Sequence, residues 1–239
     1  MSAIPLDAAL LGRMACAWSD RPVTEAPLPP GRHALAYPDG REAVLVVPEG
    51  LDHTQPVPLL VMFHGAQGEA NKVLPALVPW ARARRFLLLA PQSMFPTWDL
   101  VIGGHGPDLA RLEQALSQVA AHFRLDPQHL ALAGFSDGGS YALSLGLTNG
   151  DGVSHVMAFS AGFMNTFVRH GTPKVFLAHG RSDTQLPFAT SARPHAQRLL
   201  AEGVDLTLLP FDGDHVLLPE VVVAAIDFFL GPPSSTAQP

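Results

Sequence analysis

The chain reads as a single α/β domain built on a mostly parallel, eight-stranded sheet flanked by helices. Two observations lead there. Eight short, β-rich apolar runs recur along it, and helical patterns separate them from about residue 70 onward. No internal repeat and no interior linker divides the body. Hydrophobic residues form 47% of the 239 positions and charged ones only 15%, enough apolar material for a sizeable core. The expected layout is an N-terminal extension over residues 1–30 packed on the domain, the domain proper over 31–230, and a low-complexity, frayed tail over 231–239.

The strand candidates are His33–Tyr37, Ala43–Val47, Leu59–Phe63, Phe86–Ala90, Leu130–Ala133, His155–Phe159, Lys174–Ala178 and Leu206–Pro210. Several are apolar throughout, which suits strands covered on both faces. The first two lie close together and should pair antiparallel at one edge. Among the helices, Pro107–Phe123 places Leu109, Leu112, Leu116, Val119 and Phe123 at steps of three and four, an amphipathic stripe. Asp137–Thr148 stops at Asn149-Gly150, and Pro219–Leu230 closes before Gly231-Pro232. Pro75 and Pro79 forbid a regular helix through Asn71–Arg85. Pro194 marks the first turn of a helix running to Gly203.

Charge excludes some partners. Lys and Arg total 15 against 21 Asp and Glu, a net charge of −6. That balance offers no basic face for nucleic acid or an anionic membrane. No apolar run approaches the length of a membrane helix. The N-terminal stretch meets its first positive charge at Arg13, after the apolar residues, the wrong polarity for a signal peptide. With Cys16 as its one cysteine, read as an incidental or buried thiol, the chain has no internal disulfide. The expectation is a soluble, cytoplasmic protein, monomeric or homodimeric, without membrane insertion.

Residues Gly134-Phe135-Ser136-Asp137-Gly138 match G-x-S-x-G between a strand run and a helix run. A nucleophile displayed on a strained strand-to-helix turn needs small residues two before and two after it. A serine hydroxyl needs an imidazole to accept its proton, and the imidazole needs an acid to fix its tautomer. Two later strands end in loops that supply them: His179-Gly180-Arg181-Ser182-Asp183 and Asp212-Gly213-Asp214-His215. In a parallel sheet these ends share one edge. Ser136, Asp183 and His215 therefore form the expected catalytic set, with Asp212 and Asp214 too near His215 in sequence to reach it.

A tetrahedral intermediate also needs backbone donors aimed at its oxygen. One is the N–H of Asp137. The other comes from His64-Gly65-Ala66-Gln67-Gly68, with Ala66 favoured and Gln67 the alternative. Gln67 and Trp98 are expected to touch substrate, Trp98 by lining an acyl or alcohol pocket. His64 has no second histidine at ligand spacing and reads as a structural residue, so no metal site is expected.

These residues resemble the α/β-hydrolase superfamily, and within it the small, lid-free phospholipase/carboxylesterase group that includes acyl-protein thioesterases. The resemblance runs from about Pro56 to Leu230 and rests on Phe63-His64-Gly65, the Ser136 motif, His179-Gly180 with Asp183 and Pro187, and Gly213-Asp214-His215. It implies a serine esterase without cofactor or cap domain, acting on small or short-acyl carboxylic esters, or else a thioesterase, a polyester-oligomer depolymerase or a non-catalytic scaffold. Asp137 departs from the glutamine usual in the thioesterases, and its carboxylate should disfavour substrates with negative charge beside the scissile bond.

Overall fold

The computed structural model describes residues 9–15 and 18–233, so Cys16 and the end of the tail (234–239) lie outside the described residues. Eight strands form one sheet: β1 (Gly31–Ala36), β2 (Glu42–Val47), β3 (Val57–Phe63), β4 (Leu87–Ala90), β5 (Leu125–Phe135), β6 (His155–Phe159), β7 (Lys174–Gly180) and β8 (Leu206–Phe211). Their order is β1-β2-β4-β3-β5-β6-β7-β8. β1 pairs antiparallel with β2, and β2 with β4; every other pairing is parallel. Helices α1 (Ala70–Val73), α2 (Val78–Arg84), α3 (Asp99–Ile102), α4 (Pro107–His122), α5 (Asp137–Thr148), α6 (Ala192–Ala201) and α7 (Pro219–Leu230) connect and cover it. This is an α/β-hydrolase fold.

The unbroken apolar runs are explained by burial on both faces. In β3, Leu59, Val61 and Phe63 enter one apolar layer while Leu60 and Met62 enter the other. β4 and β5 divide likewise, Leu87, Leu89, Leu130 and Leu132 against Leu88, Ala90, Ala131 and Ala133. The first layer is filled by α4 and α5 together with Met14 and Trp18, the second by α1, α2 and α7. Burying each such leucine stabilises the fold by about 1.5–3 kcal/mol. The stripe read from α4 is the buried one: Leu109, Leu112, Leu116 and Val119 are all at most 3% exposed.

Boundaries differ where chemistry is mixed. β5 begins at Leu125, five residues before the apolar run, because Leu125 pairs with Val57 across a register shift that Asp126-Pro127-Gln128 conceals. The segment broken by prolines becomes two short helices, with Pro79 in the first turn of α2. The helix bearing Pro194 starts at Ala192. Among the described residues no helix is long and apolar enough to cross a membrane.

Candidate active site

β5 ends at Phe135 and α5 begins at Asp137, so Ser136 alone makes the turn between them. Its backbone has φ 57 and ψ −121, a conformation costing a non-glycine residue about 1–3 kcal/mol. Two glycines allow it. A Cβ on Gly134 would stand 2.1 Å from Gly138 O, and one on Gly138 2.4 Å from Phe63 O. The Ser136 N–H donates to Phe159 O at 2.8 Å, pinning the turn to the end of β6.

The loops after β7 and β8 meet this turn. His215 Nε2 lies 2.9 Å from Ser136 Oγ, and His215 Nδ1 lies 2.7 Å from Asp183 Oδ2. With Nδ1 facing a carboxylate it carries the ring proton, which leaves Nε2 to accept from the hydroxyl. Asp183 is 4% exposed, and its other oxygen, Oδ1, accepts N–H bonds from Gln185 and Leu186 at 3.0 and 2.7 Å. Asp214 serves the neighbouring connection. Its carboxylate accepts from the Thr184 and His215 backbones, both at 2.8 Å, and so ties the two loops together. Asp212 points away, its side chain 99% exposed.

On the opposite wall, the loop after β3 folds against the serine: a Cβ on Gly65 would lie 3.4 Å from Ser136 Cβ. Gly65 O accepts from His64 Nδ1 at 2.7 Å and from the Gly68 N–H at 3.0 Å. That carbonyl belongs to the same planar unit as the Ala66 N–H, which therefore faces the other way. His64 Nε2 accepts from Gln92 Nε2 at 3.2 Å and from the Ser93 N–H at 3.3 Å. Burial lowers the His64 pKa, in keeping with a neutral ring. Gln67, at φ 53, donates its N–H to Pro96 O at 2.6 Å. Among the described residues no acceptor meets the N–H of Ala66 or that of Asp137 at the start of α5. Of the two alternatives in this loop, Ala66 is the one with a free donor. The Gln67 side chain is exposed beside it.

Trp98 requires a correction. It is 1% exposed, too buried to touch a substrate as the sequence led one to expect. Its Nε1–H donates to His64 O at 2.8 Å, and its ring stacks on Tyr141 at 5.0 Å and meets Phe63 edge-on at 4.9 Å. It is a pillar beneath the loop, because an indole with one donor finds its acceptor inside the core. Thr97, beside it, donates its hydroxyl to Asp137 Oδ2 at 2.6 Å. Further along the chain, Asp99 and Asp108 brace the same loop through four backbone N–H bonds of 2.7–2.9 Å. Burial, then the neighbouring Asp108, raises Asp99 to about 6. Gln92 and Thr97 carry no motif; their sole sequence signal was position, each in a loop following the C-terminal end of a strand, whereas Asp214 sits inside Gly213-Asp214-His215 and only its role there went unread.

The arrangement offers a hydroxyl, an imidazole, a carboxylate and two unpaired backbone donors around one point. No group of three or more His, Cys, Asp or Glu that could hold a metal occurs among the described residues.

Esterases are among the known proteins that this chain resembles. The family model "Putative esterase" matches residues 112–168. A protein named "Probable feruloyl esterase C" from Aspergillus niger is 27% identical over 158 residues, covering 63% of this chain and 57% of its own length. The chain thus matches little more than half the length of that relative. Among solved structures, Thermogutta terrifontis esterase 2 phosphorylated by paraoxon aligns with TM-score 0.68 at 18% identity, covering 85% of this chain and 97% of the other. A CE1 ferulic acid esterase from Anaeromyces mucronatus, in complex with ferulic acid, aligns with TM-score 0.61 at 16% identity, covering 92% and 97%. At these identities the structures share the fold.

Proposed function

We propose that the chain is a serine hydrolase that cleaves carboxylic esters through an acyl-enzyme on Ser136. The observation that carries this reading is the continuous line from Ser136 Oγ to His215 Nε2 and from His215 Nδ1 to Asp183 Oδ2, at 2.9 and 2.7 Å. In this reading Ser136 Oγ attacks the carbonyl carbon while its proton passes to His215 Nε2. Asp183 holds the imidazolium, and the N–H groups of Ala66 and Asp137 receive the oxyanion. Collapse breaks the acyl–oxygen bond and His215 protonates the departing alcohol. Water then attacks the acyl-enzyme, again through His215, releasing the acid and restoring the serine.

The substrate is a small-molecule ester and no cofactor enters these steps. Small, short-acyl esters suit a chain with only a short connection, 160–173, between β6 and β7. The name of the fungal relative adds feruloyl esters. Thioesters and polyester oligomers would use the same residues with another leaving group. We place the protein, as a monomer or homodimer, in a reducing, cytoplasmic compartment, which suits its single cysteine. Residues 31–230 form the hydrolytic domain.

Steady-state profiling tests the class. p-Nitrophenyl esters of graded chain length, methyl ferulate and an acyl thioester are compared at equal protein concentration. The expected outcome is hydrolysis of esters with kcat/KM falling as the acyl chain lengthens, and slower turnover of the thioester. A folded protein that hydrolyses none of them, and that a fluorophosphonate fails to label, would be a binding scaffold instead.

A further inference from the structure

One buried imidazole beside the relay has no part in the steps above. His179 lies in β7, 1% exposed, four residues before Asp183. Its Nε2 is 2.6 Å from Leu186 O and 3.2 Å from Asp183 Oδ2. Both neighbours are acceptors, so Nε2 carries the ring proton, and the hydrogen bond it makes is the short one to Leu186. Leu186 closes the circuit. Its own N–H donates to Asp183 Oδ1 at 2.7 Å. The His179 ring therefore grips the turn that grips one carboxylate oxygen, and sets its polar edge against the other oxygen, the one that receives His215 Nδ1 at 2.7 Å.

A carboxylate turns easily about its last side-chain bond, where the torsional preference is broad. Two N–H donors hold Oδ1, but a hinge at Oδ1 still lets Oδ2 swing. Something must stop that swing if Oδ2 is to stay in line with His215. We propose that His179 is a positioning residue for the acid–base pair, anchoring the 183–186 turn through Leu186 O and fixing the rotation of the Asp183 carboxylate toward His215. This rests on the reading of Ser136, His215 and Asp183 as a hydrolytic relay. A ring present merely to fill space against Phe188, 6.0 Å away, would not need its polar edge there.

Three variants separate positioning from packing. His179→Gln can present an amide N–H near the place of Nε2. His179→Asn is too short to do so, and His179→Phe keeps the ring without a donor. Two readouts are taken: kcat and KM on a short-chain p-nitrophenyl ester, and the NMR position of the His215 Nδ1 proton, far downfield while it bridges to Asp183. His179→Phe and His179→Asn should lose about 10- to 100-fold in kcat, short of the roughly 10⁴-fold expected for removing the carboxylate itself. KM should stay within about twofold, since substrate binding is untouched. The downfield proton should move upfield or broaden in both, and His179→Gln should restore most of both signals. If His179→Phe fails to fold, the Asn and Gln pair decides. Wild-type kcat with an unmoved proton in the Asn or Phe variant, or a Gln variant as impaired as the Asn one, overturns the proposal. If wild-type protein hydrolyses no ester, the hydrolytic reading fails, while the proton still reports whether His179 sets the Asp183–His215 geometry.

Discussion

Opposite edges of this sheet carry nearly the same residue types, and they are built for different ends. At the edge where β5 finishes, serine, histidine and aspartate line up as Ser136, His215 and Asp183. At the edge where β6 begins, Ser154 Oγ lies 2.9 Å from His155 Nδ1, His155 stacks on His129 at 6.1 Å, and His129 Nδ1 lies 2.7 Å from Asp126 Oδ2. That second edge even lines a cavity of about 630 Å³. The difference lies in what surrounds the hydroxyl. Ser154 Oγ is already bonded to the N–H and C=O of Leu130, both at 2.9 Å. Ser136 Oγ has His215 alone, on a strained turn beside unpaired backbone donors. Residue type supplies reactivity only where the backbone leaves the hydroxyl unspent and prepares a place for the developing charge.

The largest expected effect tests this contrast directly. Ser136→Ala should lower kcat by at least about 10⁴-fold and abolish fluorophosphonate labelling, whereas Ser154→Ala should stay within about twofold. Equal losses in the two variants would erase the distinction between the edges.

A smaller effect is expected at the loop after β3, the proposed oxyanion wall. Trp98→Phe keeps an aromatic ring against Tyr141 and Phe63 but removes the donor to His64 O. A hydrogen bond worth about 1 kcal/mol corresponds to roughly fivefold in kcat. Unchanged kcat with a lowered melting temperature would assign Trp98 to packing alone.

Charge selectivity should respond more gently still. The Asp137 carboxylate, tied to Thr97, stands next to Ser136 in sequence. Asp137→Asn should narrow the preference for a neutral ester over a dicarboxylic half-ester by about threefold, the scale of one partly solvated charge pair. An unaltered ratio of kcat/KM values would show that the carboxylate does not face the substrate.

The last contrast concerns acid stability, not rate. Burial, then the adjacent His129, lowers His155 to about 4. The folded chain therefore binds this proton less readily than the unfolded one, whose ordinary value is 6.5. Stability from this source is complete above about 6.5 and drains away as pH falls toward 4. His105, also lowered to about 4 by burial, acts in the same direction, while Asp99 at about 6 opposes both. His155→Phe, packing against Phe228 and Phe229, should flatten the fall in melting temperature between pH 7 and pH 4.5 and leave kcat unchanged. A fall as steep as the wild type's would remove His155 from the acid response.

The same contrast explains what could be read before the structure was known. The Ser136 turn, the strand ends bearing Asp183 and His215, and the alternation hidden in β3 all follow from local rules of steric fit and periodicity. Legibility failed where a role depends on which loops touch. Nothing local distinguishes Trp98 as a pillar from Trp98 as a pocket wall, since either use buries an indole. Gln92 and Thr97 gain meaning only when the loop after β4 lies across His64 and Asp137. The long start of β5 was obscured for a related reason: Asp126-Pro127 has turn composition, and it lies in the irregular stretch between the Leu125–Val57 and Leu130–Leu59 pairs with β3.

The most direct trial is a crystal structure of the protein after reaction with a short-chain phosphonate. Phosphorus bonded to Ser136 Oγ, with its free oxygen about 2.7–3.1 Å from both the Ala66 and Asp137 nitrogens, is the expected result. An adduct on another residue, or an oxygen turned away from both nitrogens, would contradict the account.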